Sequence, residues 1–372
     1  MHIKETIRKV DFIIILLMTI LTGIGLLAIN SATSYSGETQ NLYKQLMFYV
    51  IGFGLMIVVM SIDYHILANW YLIIYAGIIL LLVAVFFFGK DAGGATRWID
   101  LKVIQIQPSE FAKIGMILCG ATIINKYNSR INRIWPLLVI GIFDFIPFIL
   151  VNRQPNLSTS IVIVDILVIQ LFISKLKTKY IVGGVACVGI VAVIAFVYVI
   201  NNPNQKLIQE YQRDRIMSLV NGGDSSDDKF QTTHAVQAIG SGGLKGKGLN
   251  QGSISQLNYL PESHNDFIMA VLGEEFGFIG IVIIIGLILL FIFRGVSIAR
   301  NAIDDLGRLI VIGYIGMIAL QSCVNMGVVT DFLPNTGIPI PFISYGGSSL
   351  WANMMGVGLI LNVAMRSEKK MF

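Results

Sequence analysis

The stretch Asn258-Tyr-Leu-Pro-Glu-Ser-His-Asn-Asp266 closes the longest polar segment of the chain, residues 201–266, and runs directly into the apolar Phe267-Ile-Met-Ala-Val-Leu-Gly-Glu-Glu-Phe-Gly-Phe-Ile-Gly280. The chain before residue 201 is equally apolar, so the polar segment reads as a loop between two long hydrophobic runs. A loop of about 65 residues is too short to rely on a hydrophobic core of its own. It is therefore expected to fold back on the helices that flank it, with its chemistry at a bilayer surface.

Composition agrees with that frame. The chain is 55% hydrophobic and 13% charged, with a mean hydropathy of +0.74, whereas soluble domains carry about 25% charged residues. Ten segments approach the roughly 20 predominantly apolar residues that a spanning helix needs: residues 11–30, 45–61, 68–88, 108–125, 135–151, 158–174, 180–200, 266–293, 306–328 and 345–365. The expected fold is an all-α polytopic membrane protein, a single membrane domain over residues 1–372 with ten transmembrane helices. Its large outer loop, 201–265, lies between the seventh and eighth. The first segment follows a charged N-terminus without a clean small-residue cleavage site and reads as a retained anchor.

Charge decides orientation. The net charge of +5 is scattered between apolar runs instead of forming a basic stripe, which argues against nucleic acid. With the N-terminus inside, short inner segments hold fifteen Lys and Arg residues, among them Lys126, Arg130, Lys175, Arg294, Arg308 and Arg366. The short outer loops hold only Lys44, Lys90, Arg97, Lys102 and Arg153. The positive-inside rule then puts both termini in the cytoplasm and the large loop outside. Cys119, Cys187 and Cys323 each fall in an apolar run, far apart, which fits small buried side chains better than disulfides or a metal cluster.

An enzyme facing outward has no reliable supply of nucleoside triphosphates, so its substrate must carry its own leaving group or be hydrolysed. The run Gly240-Ser-Gly-Gly-Leu-Lys-Gly-Lys-Gly248 lacks the first glycine and the terminal Ser or Thr of a phosphate loop. It could still offer backbone N–H groups with Lys245 and Lys247 to a lipid phosphate, or be a solvated outer turn.

Several longer runs carry a resemblance. They are Tyr211-Gln-Arg-Asp-Arg-Ile216, Ala238-Ile-Gly-Ser-Gly-Gly-Leu-Lys-Gly-Lys-Gly-Leu249, Leu260-Pro-Glu-Ser-His-Asn-Asp-Phe267 and Gly273-Glu-Glu-Phe-Gly-Phe-Ile-Gly280. Ala95-Thr-Arg-Trp-Ile99, Gln107-Pro-Ser-Glu-Phe-Ala-Lys113 and Gly337-Ile-Pro-Ile-Pro-Phe-Ile-Ser-Tyr-Gly-Gly-Ser-Ser349 support them. In order and over nearly the whole chain, these resemble the SEDS family of cell-wall polymerases, its RodA members more than its FtsW members. The resemblance implies a peptidoglycan glycosyltransferase in the bacterial plasma membrane that polymerises lipid II onto a lipid-linked glycan strand for cell-wall elongation and shape. It also implies a class B penicillin-binding protein as the crosslinking partner, surrounding membrane lipids, and Asp266 as the catalytic residue. Arg215 and His264, inside the matching runs, are carried as substrate-binding candidates. Where the family usually has Gln-Pro-Asp-Leu-Gly-Thr this chain has Gln154-Pro-Asn-Leu-Ser-Thr159, so no role transfers to that motif.

The residues can be read without the family. A helix starting at Pro261 would put Glu262 and Asp266 four apart on one face at the mouth of the eighth segment. Asp266 there could take a proton from a sugar hydroxyl, or both acids could simply favour a helix N-terminus. Arg97 and Trp98 could hold a phosphate and stack on a sugar, or anchor the chain at the interface. Glu110 and Lys113 are spaced to pair within one helix; alternatively Lys113 faces a cavity and neutralises a diphosphate. The Pro- and Gly-rich loop 331–349, with Ser344 and Tyr345, reads as cavity wall or as connector. Asp144 and Asp165 lie deep in spans, where charges face the bundle interior. No cofactor is required by the sequence. His234 and His264 lack a third zinc ligand, and a weakly held divalent cation such as Mg or Mn on a diphosphate is compatible with the carboxylates. The competing function is a lipid II flippase, for which a transporter-like internal repeat would be expected; none is evident.

Overall fold

The computed structural model describes residues 10–34, 40–92, 95–100, 104–202, 213, 227–256, 260 and 263–367. Its elements in chain order are α1 (Phe12–Ser34), α2 (Gln40–Ser61), α3 (Tyr64–Asn69), α4 (Tyr71–Phe88), β1 (Gly89–Ala92), β2 (Ala95–Asp100), β3 (Gln105–Ile106), α5 (Pro108–Tyr127), α6 (Ile134–Arg153) and α7 (Leu157–Ile173). Then follow α8 (Thr178–Asn201), α9 (Asp227–Gly242), α10 (Ser253–Gln256), α11 (Ile268–Arg300), α12 (Asp305–Val329) and α13 (Gly347–Arg366).

Each of the ten apolar segments is occupied by a helix, yet only eight described helices are long and apolar enough by themselves to cross a bilayer. The other two differ for physical reasons. Helix α7 has 17 residues, and α5 carries Glu110, Lys113 and Lys126 on a helix buried for most of its length. Helices α5, α12 and α13 form the centre. α13 packs on α2, α12 on α7 and α11, and α5 on α4, α7, α12 and α13. Polar side chains tie this centre together, as they do where lipid offers no hydrogen bonds. Buried Gln170 donates to the Ile117 carbonyl at 2.7 Å and the Leu309 carbonyl at 3.3 Å, joining α7 to α5 and α12.

Two features add to the expected helical fold and one boundary is corrected. The helical bundle carries one small addition, because the loop between α4 and α5 forms an antiparallel sheet in the order β1-β2-β3, with Lys90 opposite Trp98 and Ile99 opposite Ile106. The large loop contains α9, which packs on α11 as expected for a segment without its own core. Thirdly, the eighth helix runs over 268–300, not 266–293, and kinks at Gly277 (φ 67, ψ −167). At 33 residues it would be about 50 Å long, well beyond a hydrocarbon core of roughly 30 Å. Residues 268–275 are buried on every face, whereas Phe278 and Ile279 are exposed. The kink therefore separates a segment inside the protein from a lipid-facing one.

Residues assigned to the inner side by charge gather at one end. Arg294 pairs with Asp11 at 2.6 Å, Lys175 with Asp305 at 2.9 Å, and Arg366 with Asp63 at 3.0 Å. His65 bridges Asp63 (2.9 Å) and Asp304 (2.8 Å), and Asp304 caps α12 at Gly307. The described ends of the chain thus meet at one end of the bundle. The opposite end holds a cavity.

Candidate active site

The even-numbered spans all begin at that opposite end. The N-caps and first turns of α5, α7 and α13, and the turn that leads into α11, converge there on an open pocket of about 740 Å³, contributing Gln107 and Glu110, Asn156 and Thr159, Gly346, Gly347 and Ser349, and Asn265 and Asp266 respectively. Each helix N-terminus carries unsatisfied N–H groups equivalent to roughly half a positive charge. Four of them around one pocket favour an anion. The sheet adds Arg97, Trp98 and Asp100, the start of α2 adds Lys44 and Phe48, and the loop before α13 adds Asn335, Gly337, Pro339 and Tyr345.

Asp266 is not on a helix. Residues 263–267 form a turn, Phe267 is the N-cap residue, and α11 starts at Ile268. The expected helix from Pro261 is thus absent from the described part of this junction; Pro261, Glu262 and Arg215 lie outside the described residues. Three successive carbonyls of the turn are held from elsewhere in the chain. The His264 carbonyl accepts from Tyr345 N at 3.0 Å, that of Asn265 from Ser344 Oγ at 2.8 Å, and that of Asp266 from Asn325 Nδ2 at 2.8 Å. Tertiary partners so replace helical ones and leave the carboxylate on the pocket wall. Its Oδ2 lies 3.3 Å from where a methyl group on Gly337 would stand, and Gly337 has φ +66.

The other candidates divide. Arg97 and Trp98 line the pocket, and Arg97 donates through Nη2 to the Pro155 carbonyl, which anchors the guanidinium. Glu110 and Tyr345 line it too, and the His264 ring meets Tyr345 edge-on at 5.3 Å. Lys113 does not reach the pocket. It is 1% exposed and pairs with Glu110 at 2.8 Å, the intrahelical alternative. Ser344 is no substrate contact either, since its buried hydroxyl also accepts from Ile340 N at 2.9 Å.

Lys247 is corrected as well. Its ammonium pairs with buried Glu274 at 2.7 Å, while its N–H donates to the Glu274 carbonyl at 3.0 Å, so the glycine-rich turn is docked on the α11 kink and away from the pocket. Lys245 is exposed and also off the pocket. Asp144 and Asp165 lie outside the pocket.

Among the described residues, the cations lining the pocket are Arg97 and Lys44. The sequence marks Lys44 only as a topology charge, because nothing local distinguishes one lysine in a short loop between spans. Asp100, paired with Lys90 at 2.6 Å, was missed for the same reason. Asn325 did leave a signal: Gln321, Ser322 and Asn325 interrupt an apolar span, and polar residues there usually bond other helices. No group of three or more His, Cys, Asp or Glu side chains among the described residues is placed to hold a metal. Two pocket carboxylates, Glu110 and Asp100, already face lysines.

A family model described as "Cell cycle protein", FTSW_RODA_SPOVE, matches residues 10–369. The "Probable peptidoglycan glycosyltransferase FtsW" of Geobacter sp. (strain M18) is 35% identical over 370 residues, covering 96% of this chain and 97% of the relative. The "Peptidoglycan glycosyltransferase MrdB" of Escherichia coli K12 is 40% identical over 319 residues, covering 84% and 82%. Among solved structures, a chain described under "Structural coordination of polymerization and crosslinking by a peptidoglycan synthase complex" superposes with a TM-score of 0.80 at 26% identity, covering 95% and 97%. The Thermus thermophilus rod shape determining protein RodA superposes with a TM-score of 0.70 at 25% identity, covering 95% and 96%.

Proposed function

The chain belongs to the FtsW/RodA/SpoVE family, and from that premise we propose that it is a peptidoglycan glycosyltransferase that extends a lipid-linked glycan strand with lipid II. The observation that carries this reading is Asp266, held by three carbonyl contacts on the wall of a pocket ringed by four helix N-termini. In the step envisaged, Asp266 takes the proton of the acceptor hydroxyl as its oxygen bonds to the donor anomeric carbon. The bond from that carbon to the diphosphate oxygen breaks with inversion, and the diphosphate leaves with the electron pair. Arg97, Lys44 and the helix N-termini would stabilise that leaving charge, and Trp98 offers a face for a sugar ring.

No resident cofactor is needed in this reading. Added Mg or Mn would act as counter-ion to the diphosphate, whose own oxygens would supply most of the ligands; a chelator that left strand synthesis unchanged would remove that role. The chain is a multi-pass membrane protein, and its proposed setting is the bacterial plasma membrane with both termini cytoplasmic. Labelling Ser241→Cys with a membrane-impermeant reagent should succeed only from outside, and labelling only from the cytoplasm would reverse the orientation. A class B penicillin-binding protein is the proposed partner, a reading supported by the synthase complex that the fold resembles. Failure of the two to copurify from the native membrane would count against it.

The central test is strand synthesis from lipid II by detergent-purified protein, where nothing can be flipped. Asp266→Asn keeps shape but loses the base, so synthesis should fall by roughly 10² to 10⁴-fold. Folding should change little, since a carboxylate beside a helix N-terminus contributes about 0.3 to 1 kcal/mol. Near-normal strands from this variant would remove the base assignment and favour the flippase reading.

A further inference from the structure

Asp266 stands on an irregular turn, so its position depends on whatever holds that turn. The three captured carbonyls differ in what holds them. Those of His264 and Asn265 are bound by Tyr345 and Ser344, both from the loop that leads into α13. The Asp266 carbonyl is bound by Asn325, which comes from α12 and donates its second N–H to the Ile338 carbonyl, also at 2.8 Å. Both neighbours are carbonyl oxygens and can only accept, so the NH₂ end of the amide must face them. The side chain is 1% exposed, and its Oδ1 has no hydrogen-bond partner. Its contribution therefore lies in the two donated bonds, one to each wall of the pocket.

Ile338 follows Gly337, where an added methyl group would stand 3.3 Å from Asp266 Oδ2. One buried amide thus sets the backbone on both sides of the carboxylate. We propose that Asn325 is a positioning residue for the glycosyl transfer, fixing the distance between Asp266 and the opposing loop without touching substrate. The proposal rests on the reading of Asp266 as the base. A general base must stand within hydrogen-bond reach of the proton it takes, and a displacement of about 1 Å can lower a rate by roughly 10²-fold.

The test compares purified full-length Asn325→Leu, Ser322→Ala and Asp266→Asn proteins in strand synthesis over a range of lipid II concentrations, with thermal unfolding followed in parallel. Asn325→Leu keeps the branch at Cγ but cannot donate. Its kcat per folded molecule should fall by about 10 to 100-fold while KM stays within about three-fold, the signature of a loss felt in the transition state. Ser322→Ala, one turn away on α12, should leave both constants unchanged. A kcat loss no larger than the loss of folded protein, or a change confined to KM, overturns the proposal. The smaller Asn325→Ser, which leaves room for a water between the two carbonyls, is scored by the same kcat and KM criteria and decides the matter if the leucine variant does not fold. An inactive Asp266→Asn beside a fully active Asn325→Leu would sink the positioning role alone. An active Asp266→Asn would sink the base assignment on which it rests.

Discussion

Gly337 shows how narrowly the site is built at the scale of one residue. Its φ of +66 is a region where a side chain costs about 1 to 2 kcal/mol, and its missing methyl group would stand 3.3 Å from Asp266 Oδ2. Gly337→Ala should therefore lower stability by that amount and lower strand synthesis by more than the lost folded fraction, because the methyl also crowds the carboxylate. Thermal unfolding and strand yield from one preparation separate the two effects, and equal proportional losses would mean that only the backbone is strained. The sequence marked Asp266, Arg97 and Trp98 because their types and neighbours are distinctive. It could not mark Lys44 or Asp100, whose place at the pocket depends on packing between elements remote in the chain.

At the scale of an element, α5 carries an ion pair inside its first turns. Glu110 and Lys113 are both buried and 2.8 Å apart, and removing one partner of such a pair typically costs about 3 to 5 kcal/mol because the other charge is left uncompensated. Lys113→Met should thus destabilise the fold strongly, whereas Lys113→Met combined with Glu110→Gln should regain most of that loss. Thermal unfolding of the single and double variants measures this. A stable Lys113→Met protein with weakened lipid II binding would instead return the lysine to the diphosphate. The i,i+3 spacing was legible in the sequence, but the choice between pair and ligand was not, since it turns on whether Lys113 reaches the cavity. Helix α11 repeats the lesson: its apolar run was plain, while the Gly277 kink arises from docking the glycine-rich turn, with Leu244 O only 2.7 Å from where a methyl would stand.

For the whole molecule, the end of the bundle opposite the pocket is clamped by charge. Burial disfavours the protonated form of His65, but hydrogen bonds to Asp63 and Asp304 outweigh it and raise its pKa above the ordinary 6.5. Burial likewise works against the Asp63 carboxylate, yet its bonds to His65 and Arg366 hold its pKa below 3.8. A raised imidazole pKa stabilises the fold fully below pH 6.5 and loses that contribution as pH rises through the folded value. The acid contributes above 3.8 and weakens only as pH falls through its lowered value. Unfolding should therefore become easier on raising the pH above 6.5, by about 0.2 to 1 kcal/mol for groups this exposed, and His65→Gln should flatten that slope. An unchanged slope in the variant would show that the clamp is not the cause. By itself the sequence determined that this is a polytopic membrane protein interrupted by one long polar segment, residues 201–266, because hydrophobic length is a property of the chain read locally. It also marked Asp266, through a motif contiguous in the chain. Only the tertiary structure decided which polar groups meet: four helix N-termini around one pocket, Lys113 beneath Glu110, Lys247 on Glu274, and Asn325 across two walls. The reason is physical. A buried polar group must find its partner within about 3 Å, and in a bundle that partner lies on another helix, at a separation in sequence that local pattern does not encode.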